Sequence, residues 1–170
     1  MLEQFESEFA HSLERCLIKR LVFLGIGNEL RHDDAAGLVI VEKLRPRVTD
    51  PTVTIINCAD IPENFTGHVK RLDPACIVLI DAADFGGHPG EAHVFALSDI
   101  EKAGISTHKA SLAVLGTYLR SETGASIFVI GIQPDSTEFG SGLTQTLYEA
   151  SDAIVEAIST VLNHHRTKRA

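Results

Sequence analysis

Hydrophobic positions along the chain form short apolar runs that alternate with amphipathic stretches. The first run, at 21–26, is continuously apolar, as is typical of a strand that is buried on both faces of a sheet. Further strand patterns lie at 53–56, 76–80, 91–97 and 126–132. Apolar residues at helical spacing predict helices at 2–17, 37–44, after Pro62, at 109–119 and at 143–161.

This alternation predicts an α/β fold, specifically a three-layer α/β/α sandwich. Crossover helices cover both faces of a largely parallel sheet, so we expect a five-stranded, mostly parallel sheet in which one edge strand runs antiparallel. We divide the chain into an accessory amphipathic helix at 1–19, a single α/β domain at 20–165 and a basic tail at 166–170. In such sheets ligands bind beyond the carboxyl ends of the strands.

Composition narrows the function classes. The 170 residues include 44% hydrophobic and 22% charged residues, which is typical of one globular domain. The net charge of -8 disfavours nucleic acid as a partner. No apolar stretch approaches the ~20 residues of a membrane span, so we expect no membrane insertion. Three cysteines without C-x-x-C spacing, together with an acidic N-terminal segment unlike a signal peptide, indicate the cytoplasm.

Two adjacent acids, Asp33 and Asp34, follow the first strand where a helix begins. Either aspartate alone is best explained as a helix cap, because a capping carboxylate accepts hydrogen bonds from unpaired backbone N–H groups. A dinucleotide loop is a second interpretation of Gly25-x-Gly27, but its third glycine position holds Leu30 and the acids would repel a pyrophosphate. A metal site is the third.

The metal interpretation gains from Asp81, which ends another apolar run at the same expected edge of the sheet. Loop N–H groups could satisfy one such carboxylate, but two converging carboxylates need a further explanation. Ser106 and Thr107 resemble a helix cap and place His108 in the first helical turn. One imidazole and two carboxylates are a plausible ligand set for nickel or zinc, with coordination positions left open.

Other reactive side chains carry weaker signals. We expect His32, His88 and His93 to face solvent, and we interpret Cys58 as a buried thiol more readily than as a nucleophile. The sequence has neither the G-x-S-x-G motif of serine hydrolases nor the H-E-x-x-H motif of zinc proteases.

Four motifs together resemble the nickel-iron hydrogenase maturation endopeptidases, over roughly residues 20 to 162. They are Gly25-Ile-Gly-Asn-Glu-Leu-Arg-His-Asp-Asp34, Ile80-Asp-Ala-Ala-Asp-Phe-Gly86 with Pro89-Gly-Glu91, Thr107-His108 and Gly131-Ile-Gln-Pro134. The resemblance implies a five-stranded α/β sandwich in which Asp34, Asp81 and His108 bind the metal. It also implies aspartic-type catalysis, with Asp34 and Asp81 as the catalytic candidates.

The task implied by the resemblance is to detect nickel in the precursor of the hydrogenase large subunit and then to cut off its C-terminal extension. The nickel would be supplied by, or shared with, the precursor, and the enzyme would be a monomer or weak homo-oligomer. Either a carboxylate acting as general base or the metal polarising the carbonyl could break the bond. The alternative is a non-catalytic nickel-binding chaperone for hydrogenase. Departures from the family pattern are Ala35 and Asn57-Cys58-Ala59, where many members have glycine and Asp-Gly-Gly, and the additional helix before Leu21.

Overall fold

The five predicted strands form one sheet in the computed structural model, which describes residues 2–14, 20–102 and 107–167, without the side chains at 2, 101, 102, 107–111 and 165–167. The strands are β1 (Leu21–Gly25), β2 (Val53–Asn57), β3 (Cys76–Ala82), β4 (Ala92–Ala96) and β5 (Ser126–Ile132). Their order is β2-β1-β3-β5-β4, and only β4 is antiparallel to its neighbour. The predicted sheet, including its antiparallel edge strand, is confirmed.

The helices also follow the predicted pattern, with a few short additions. They are α1 (Leu2–Leu13), α2 (Ala36–Leu44), α3 (Thr66–Arg71), α4 (Leu97–Lys102), α5 (Thr107–Thr123) and α6 (Gln145–Thr167). Helix α4 and the 3-10 turns at His32–Ala35 and Arg45–Arg47 were not predicted, because none of them is long enough to show a repeating apolar pattern. Of the predicted basic tail, residues 168–170 lie outside the described residues. No helix in the described ranges is long and apolar enough to span a membrane.

Two hydrophobic cores lie on the two faces of the sheet. Successive side chains of a strand point to opposite faces, so Leu21 and Phe23 join α1, α2 and α6 in one core. Val22 and Leu24 join the side chains of α3, α4 and α5 in the other core. The inner strands are therefore buried on both faces, which explains why β1 and β3 are almost continuously apolar.

Helix α1 contributes aromatic side chains to the first core. Phe5 and Phe9 are stacked with ring centroids 6.1 Å apart, and Phe9 lies 6.2 Å from Phe23. On the same helix, a carboxylate oxygen of Glu8 accepts a hydrogen bond of 3.3 Å from the backbone N–H of Val94 in the edge strand β4. Helix α1 thus packs on the domain and covers part of an exposed sheet edge.

The carboxyl ends of β1 and β3 form the switch point of the sheet, because β2 lies beside β1 and β5 lies beside β3. Helix α2 packs very closely against this point. A Cβ atom at Gly37 would lie 2.1 Å from the carbonyl oxygen of Ile80 and 2.4 Å from that of Ile26. Glycine at position 37 therefore sets the distance between α2 and the strand that leads into Asp81.

We expect Gly37→Ala to lower the free energy of unfolding by about 3 kcal/mol, since backbone atoms must move to admit the methyl group. Gly67→Ala is the matched control, because Gly67 has the same place near the start of α3 and its Cβ would meet only the end of Arg71, 3.7 Å away. That change should stabilise the protein by up to ~1 kcal/mol. Urea denaturation measures both, and equal effects would contradict the close packing.

Candidate active site

A cavity of about 300 Å³ lies at the carboxyl ends of β1 and β3. It is bounded by the loop after β1, the loop after β2, the end of β3 and one face of α5. The lining residues are Ile26, Gly27, Asn28, Arg31, Asp34, Asp60, Pro62, Glu63, Asp81, Leu112 and Leu115. This is the position at which doubly wound sheets bind their ligands.

Asp34 and Asp81 both line this cavity. Asp81 is the sixth residue of β3 and is 6% exposed, whereas Asp34 lies in the 3-10 turn after β1 and is half-buried. The structure therefore brings the two strand-end carboxylates to one place, where the sequence argument expected them. Their roles as ligands and catalysts stay predictions.

His108 lies in the first turn of α5, as predicted, although α5 begins at Thr107 and not at residue 109. The side chain of His108 lies outside the described residues. Further along the same helix, Leu112 and Leu115 line the cavity. Within the part of the chain that the structure describes, no three His, Cys, Asp or Glu side chains form a group that could hold a metal ion. The three-residue ligand set therefore stays a prediction.

Two further acids, Asp60 and Glu63, line the cavity and were not predicted. Asp60 follows β2 closely, so the strand-end argument applied to Asp81 would have found it. Glu63 lies in a 3-10 turn that carries no comparable signal. The cavity wall thus has four carboxylates and one guanidinium, that of Arg31. Such a wall favours a cationic ligand over a phosphate.

Asp33 has a different role from its neighbour Asp34. It is fully buried, and its Oδ2 accepts hydrogen bonds of 3.0 Å from the backbone N–H groups of Asp135 and Ser136. Thr144 donates to the same carboxylate twice, from its backbone N–H at 2.7 Å and from its hydroxyl at 3.0 Å. The helix-cap interpretation is wrong for both acids, because neither the 3-10 turn nor α2 has a side-chain cap.

Further hydrogen bonds, from the backbone and from side chains, join the loop after β1 to the loop after β5. The backbone N–H of His32 donates to the oxygen of Gly140 at 3.0 Å, and Gly140 donates to the oxygen of Leu30 at 2.9 Å. Arg31 Nε donates to the oxygen of Thr137 at 3.1 Å. His32 Nδ1 lies 3.0 Å from the oxygen of Gly142. His32 thus joins the two loops, and it is half-buried and not fully solvated as predicted.

Gln133, from the fourth resemblance motif, holds the loop that follows Asp81. Its side-chain oxygen accepts hydrogen bonds from the backbone N–H groups of Phe85 at 2.9 Å and Gly87 at 3.1 Å. Its side-chain nitrogen donates to Asp84 at 3.1 Å. The side chain is buried and points at this loop, which gives Gln133 a positioning role rather than a catalytic one.

His93 is half-buried, which contradicts the prediction that it faces solvent. Its Nε2 lies 2.9 Å from Glu91 and its Nδ1 lies 3.4 Å from Glu8. Its ring also packs against Phe85, with centroids 5.4 Å apart. Of the three histidines predicted to face solvent, only His88 is exposed. These contacts join α1, the edge strand and the loop after β3.

Cys58 is buried, and desolvation raises the pKa of its thiol to about 12. The thiolate is therefore scarce at neutral pH, and Cys58 is a core residue rather than a nucleophile, as we expected. The next residue, Ala59, has φ 50, in the left-handed region that favours glycine. Its carbonyl oxygen accepts a hydrogen bond of 3.0 Å from the N–H of Gly27.

The sequence and the fold of this chain are both similar to those of known proteins. A family model described as hydrogenase maturation protease matches residues 38–161. The hydrogenase 3 maturation protease of Escherichia coli is 32% identical over 138 residues, which cover 81% of this chain and 87% of that protein. The crystal structure of the NiFe hydrogenase maturation protease HycI from Thermococcus kodakarensis is 32% identical, with a TM-score of 0.83, and covers 91% of this chain and 98% of its own.

A second solved structure, the hydrogenase maturating endopeptidase HybD from E. coli, is 25% identical with a TM-score of 0.71. The alignment covers 85% of this chain and 93% of that one. The similarity therefore extends over nearly the whole fold.

The adjacent aspartates give a matched pair of variants. Asp33→Asn should lower the free energy of unfolding by about 2–4 kcal/mol, because an amide nitrogen would face N–H donors in a buried place. Asp34→Asn should change it by less than ~0.5 kcal/mol, since within the described part of the chain its half-exposed carboxylate has no comparable set of donors. Chemical denaturation of both variants measures the difference. Equal losses of stability would contradict the assignment of Asp33 as the residue that joins the two loops.

Glu91 predicts a specific pH dependence of stability. The backbone N–H of His88 and then the side chain of His93 donate to its carboxylate, which lowers the pKa of Glu91 below its ordinary value. This contribution is present above the ordinary glutamate pKa and is lost as the pH falls through the lower, folded value. Glu91→Gln should therefore destabilise the protein at neutral pH but much less in acid. A difference in the free energy of unfolding between wild type and Glu91→Gln that does not change with pH would contradict this role of Glu91.

Proposed function

The chain belongs to the hydrogenase maturation protease family, and we propose that its substrate is the large-subunit precursor of a nickel-iron hydrogenase that already carries nickel. The protein is an endopeptidase, and the bond that it cuts releases the C-terminal extension of the precursor. The observation that carries this assignment is that Asp34 and Asp81 line one cavity at the switch point of the sheet.

We propose that Asp34, Asp81 and His108 complete the coordination of the precursor's nickel. Two carboxylates lie in the cavity, and positions 108, 112 and 115 have the spacing of one helix face, on which Leu112 and Leu115 line the cavity. Nitrogen and oxygen donors suit nickel, and three ligands leave positions open for those of the substrate. The metal therefore belongs to the substrate, and recognising it places the scissile bond beside the carboxylates.

The negative charge of the cavity supports the same proposal. Asp60 and Glu63 add to the field of Asp34 and Asp81, and Arg31 offsets only one of the four carboxylates. A divalent cation held in the substrate would be attracted into such a cavity, whereas a precursor without metal would lack that interaction. Cleavage then depends on nickel insertion, since the metal supplies part of the binding free energy.

We propose that Asp34 also acts as the general base, through the carboxylate oxygen that does not bind nickel. It is half-buried in the cavity wall, whereas Asp81 is only 6% exposed, so an attacking water has easier access to Asp34. The carboxylate takes a proton from water as the water oxygen bonds to the scissile carbonyl carbon. That proton then passes to the leaving nitrogen as the carbon–nitrogen bond breaks. Asp81 and His108 act by holding the substrate's nickel.

We also propose that the protein works in the cytoplasm, where thiols stay reduced. Cys58 is a fully buried thiol in the second core, and the chain's sparse cysteines give no disulfide framework.

The direct test is to incubate purified enzyme with nickel-loaded and nickel-free precursor and to measure product masses. Wild type should shorten only the loaded precursor. Asp34→Asn and Asp81→Asn should lower the rate by about 10²- to 10⁴-fold, whereas Asp99→Asn, an exposed aspartate on α4, should not change it. Cleavage by Asp34→Asn at the wild-type rate would contradict the role of this residue.

Measuring the binding of precursor distinguishes the two roles proposed for the cavity, which are recognition of nickel and cleavage of the peptide bond. His108→Ala should weaken binding of nickel-loaded precursor and leave binding of nickel-free precursor unchanged. A stable, nickel-dependent complex of the wild-type enzyme that releases no peptide would contradict the protease and favour a nickel chaperone instead.

A further inference from the structure

Three large apolar side chains lie exposed on the loops that adjoin the cavity or are bonded to them. Phe139 is 82% exposed, Leu30 is 57% exposed and Ile61 is 49% exposed. We call these three residues the docking rim. Leu30 lies between the cavity-lining residues Asn28 and Arg31, and Ile61 lies between Asp60 and Pro62, which line the cavity too.

Phe139 belongs to this rim because its loop is bonded to the loop that carries Leu30. The next residue, Gly140, donates its N–H to the oxygen of Leu30 at 2.9 Å and forms a bridge with Arg31. The loop after β5 and the loop after β1 thus form one ledge beside the cavity, and Leu30 and Phe139 are the exposed apolar residues on it.

The ledge is held in place rather than loosely attached. The buried carboxylate of Asp33 accepts four hydrogen bonds from the loop after β5, and His32 contacts Gly142. An exposed phenylalanine on a loop fixed this way loses little conformational entropy when a partner covers it. Aromatic side chains of this kind are typical anchors of protein interfaces.

We propose that the docking rim binds an apolar patch on the folded body of the protein substrate, next to the segment that is cut. This inference rests on the proposed function, because it takes the large-subunit precursor as the substrate. A scissile bond that reaches Asp34 enters the cavity beside the loops that carry Leu30, Ile61 and Phe139, so these residues are placed to contact the adjoining surface of the precursor.

A second copy of the chain is the less suitable occupant of the rim. Leu30 and Ile61 lie next to residues that line the cavity, so a second copy seated on the rim would cover the cavity and exclude the substrate. The rim also differs in chemistry from the cavity, since it is apolar where the cavity is acidic. The rim therefore contacts protein surface, and its contribution to binding does not depend on nickel.

The test compares Phe139→Ser with Phe139→Leu and with Tyr118→Ser as the control. Tyr118 is an aromatic residue, 45% exposed, in the half of α5 that leads away from the cavity. With nickel-loaded precursor, Phe139→Ser should raise KM about tenfold or more with kcat within about twofold, as expected when uniform binding is lost. Phe139→Leu should have a KM close to that of wild type, and the KM of Tyr118→Ser should equal that of wild type.

A direct binding measurement with nickel-free precursor keeps the two proposals distinguishable. Calorimetry with nickel-free precursor, which is not cut, should show that Phe139→Ser binds the precursor more weakly than wild type by a similar factor. If wild type cuts the loaded precursor and Phe139→Ser has unchanged KM and affinity, the docking proposal fails and the proposed function stands. If wild type never cuts but its affinity for precursor depends on Phe139, the proposed function fails and the docking rim stands. A wild-type dimer that Phe139→Ser converts to a monomer would overturn the docking proposal.

Discussion

The buried carboxylate of Asp33 joins two loops that are more than 100 residues apart in the sequence. Removing a carboxylate from water is costly, and the cost is offset here by four hydrogen bonds from Asp135, Ser136 and Thr144. Consecutive residues of a 3-10 turn point in different directions. When Asp33 points into the interior, Asp34 is therefore left to line the cavity. One bonding constraint thus sets the position of a candidate catalytic group.

The same constraint shapes the surface around the cavity. The loops that Asp33 and His32 connect carry Leu30 and Phe139 outward, while Arg31 remains in the cavity wall. Gly37 permits α2 to approach Ile80, the residue before Asp81. Close backbone packing at Gly37 and the buried charge of Asp33 therefore set the positions of α2, β3 and the loop after β1 around the acidic cavity.

Much of this architecture follows from the sequence because it depends on local periodicity. Apolar runs located all five strands, and the strand-end rule brought Asp34 and Asp81 to one edge. The role of Asp33 could not be predicted, because its partners lie in a loop without any periodic signal. The contacts of His93 were missed for the same reason, since they depend on how α1 packs on the edge strand.

The function of the cavity depends on whether the enzyme's side chains join the coordination of the substrate's nickel. X-ray absorption at the nickel edge, recorded for loaded precursor alone and mixed with the slow variant Asp34→Asn, tests this most directly. We expect nitrogen and oxygen ligands to be added to the nickel in the mixture, and the addition to be lost when His108→Ala and Asp81→Asn are introduced as well. A nickel spectrum that does not change when enzyme binds would contradict the account.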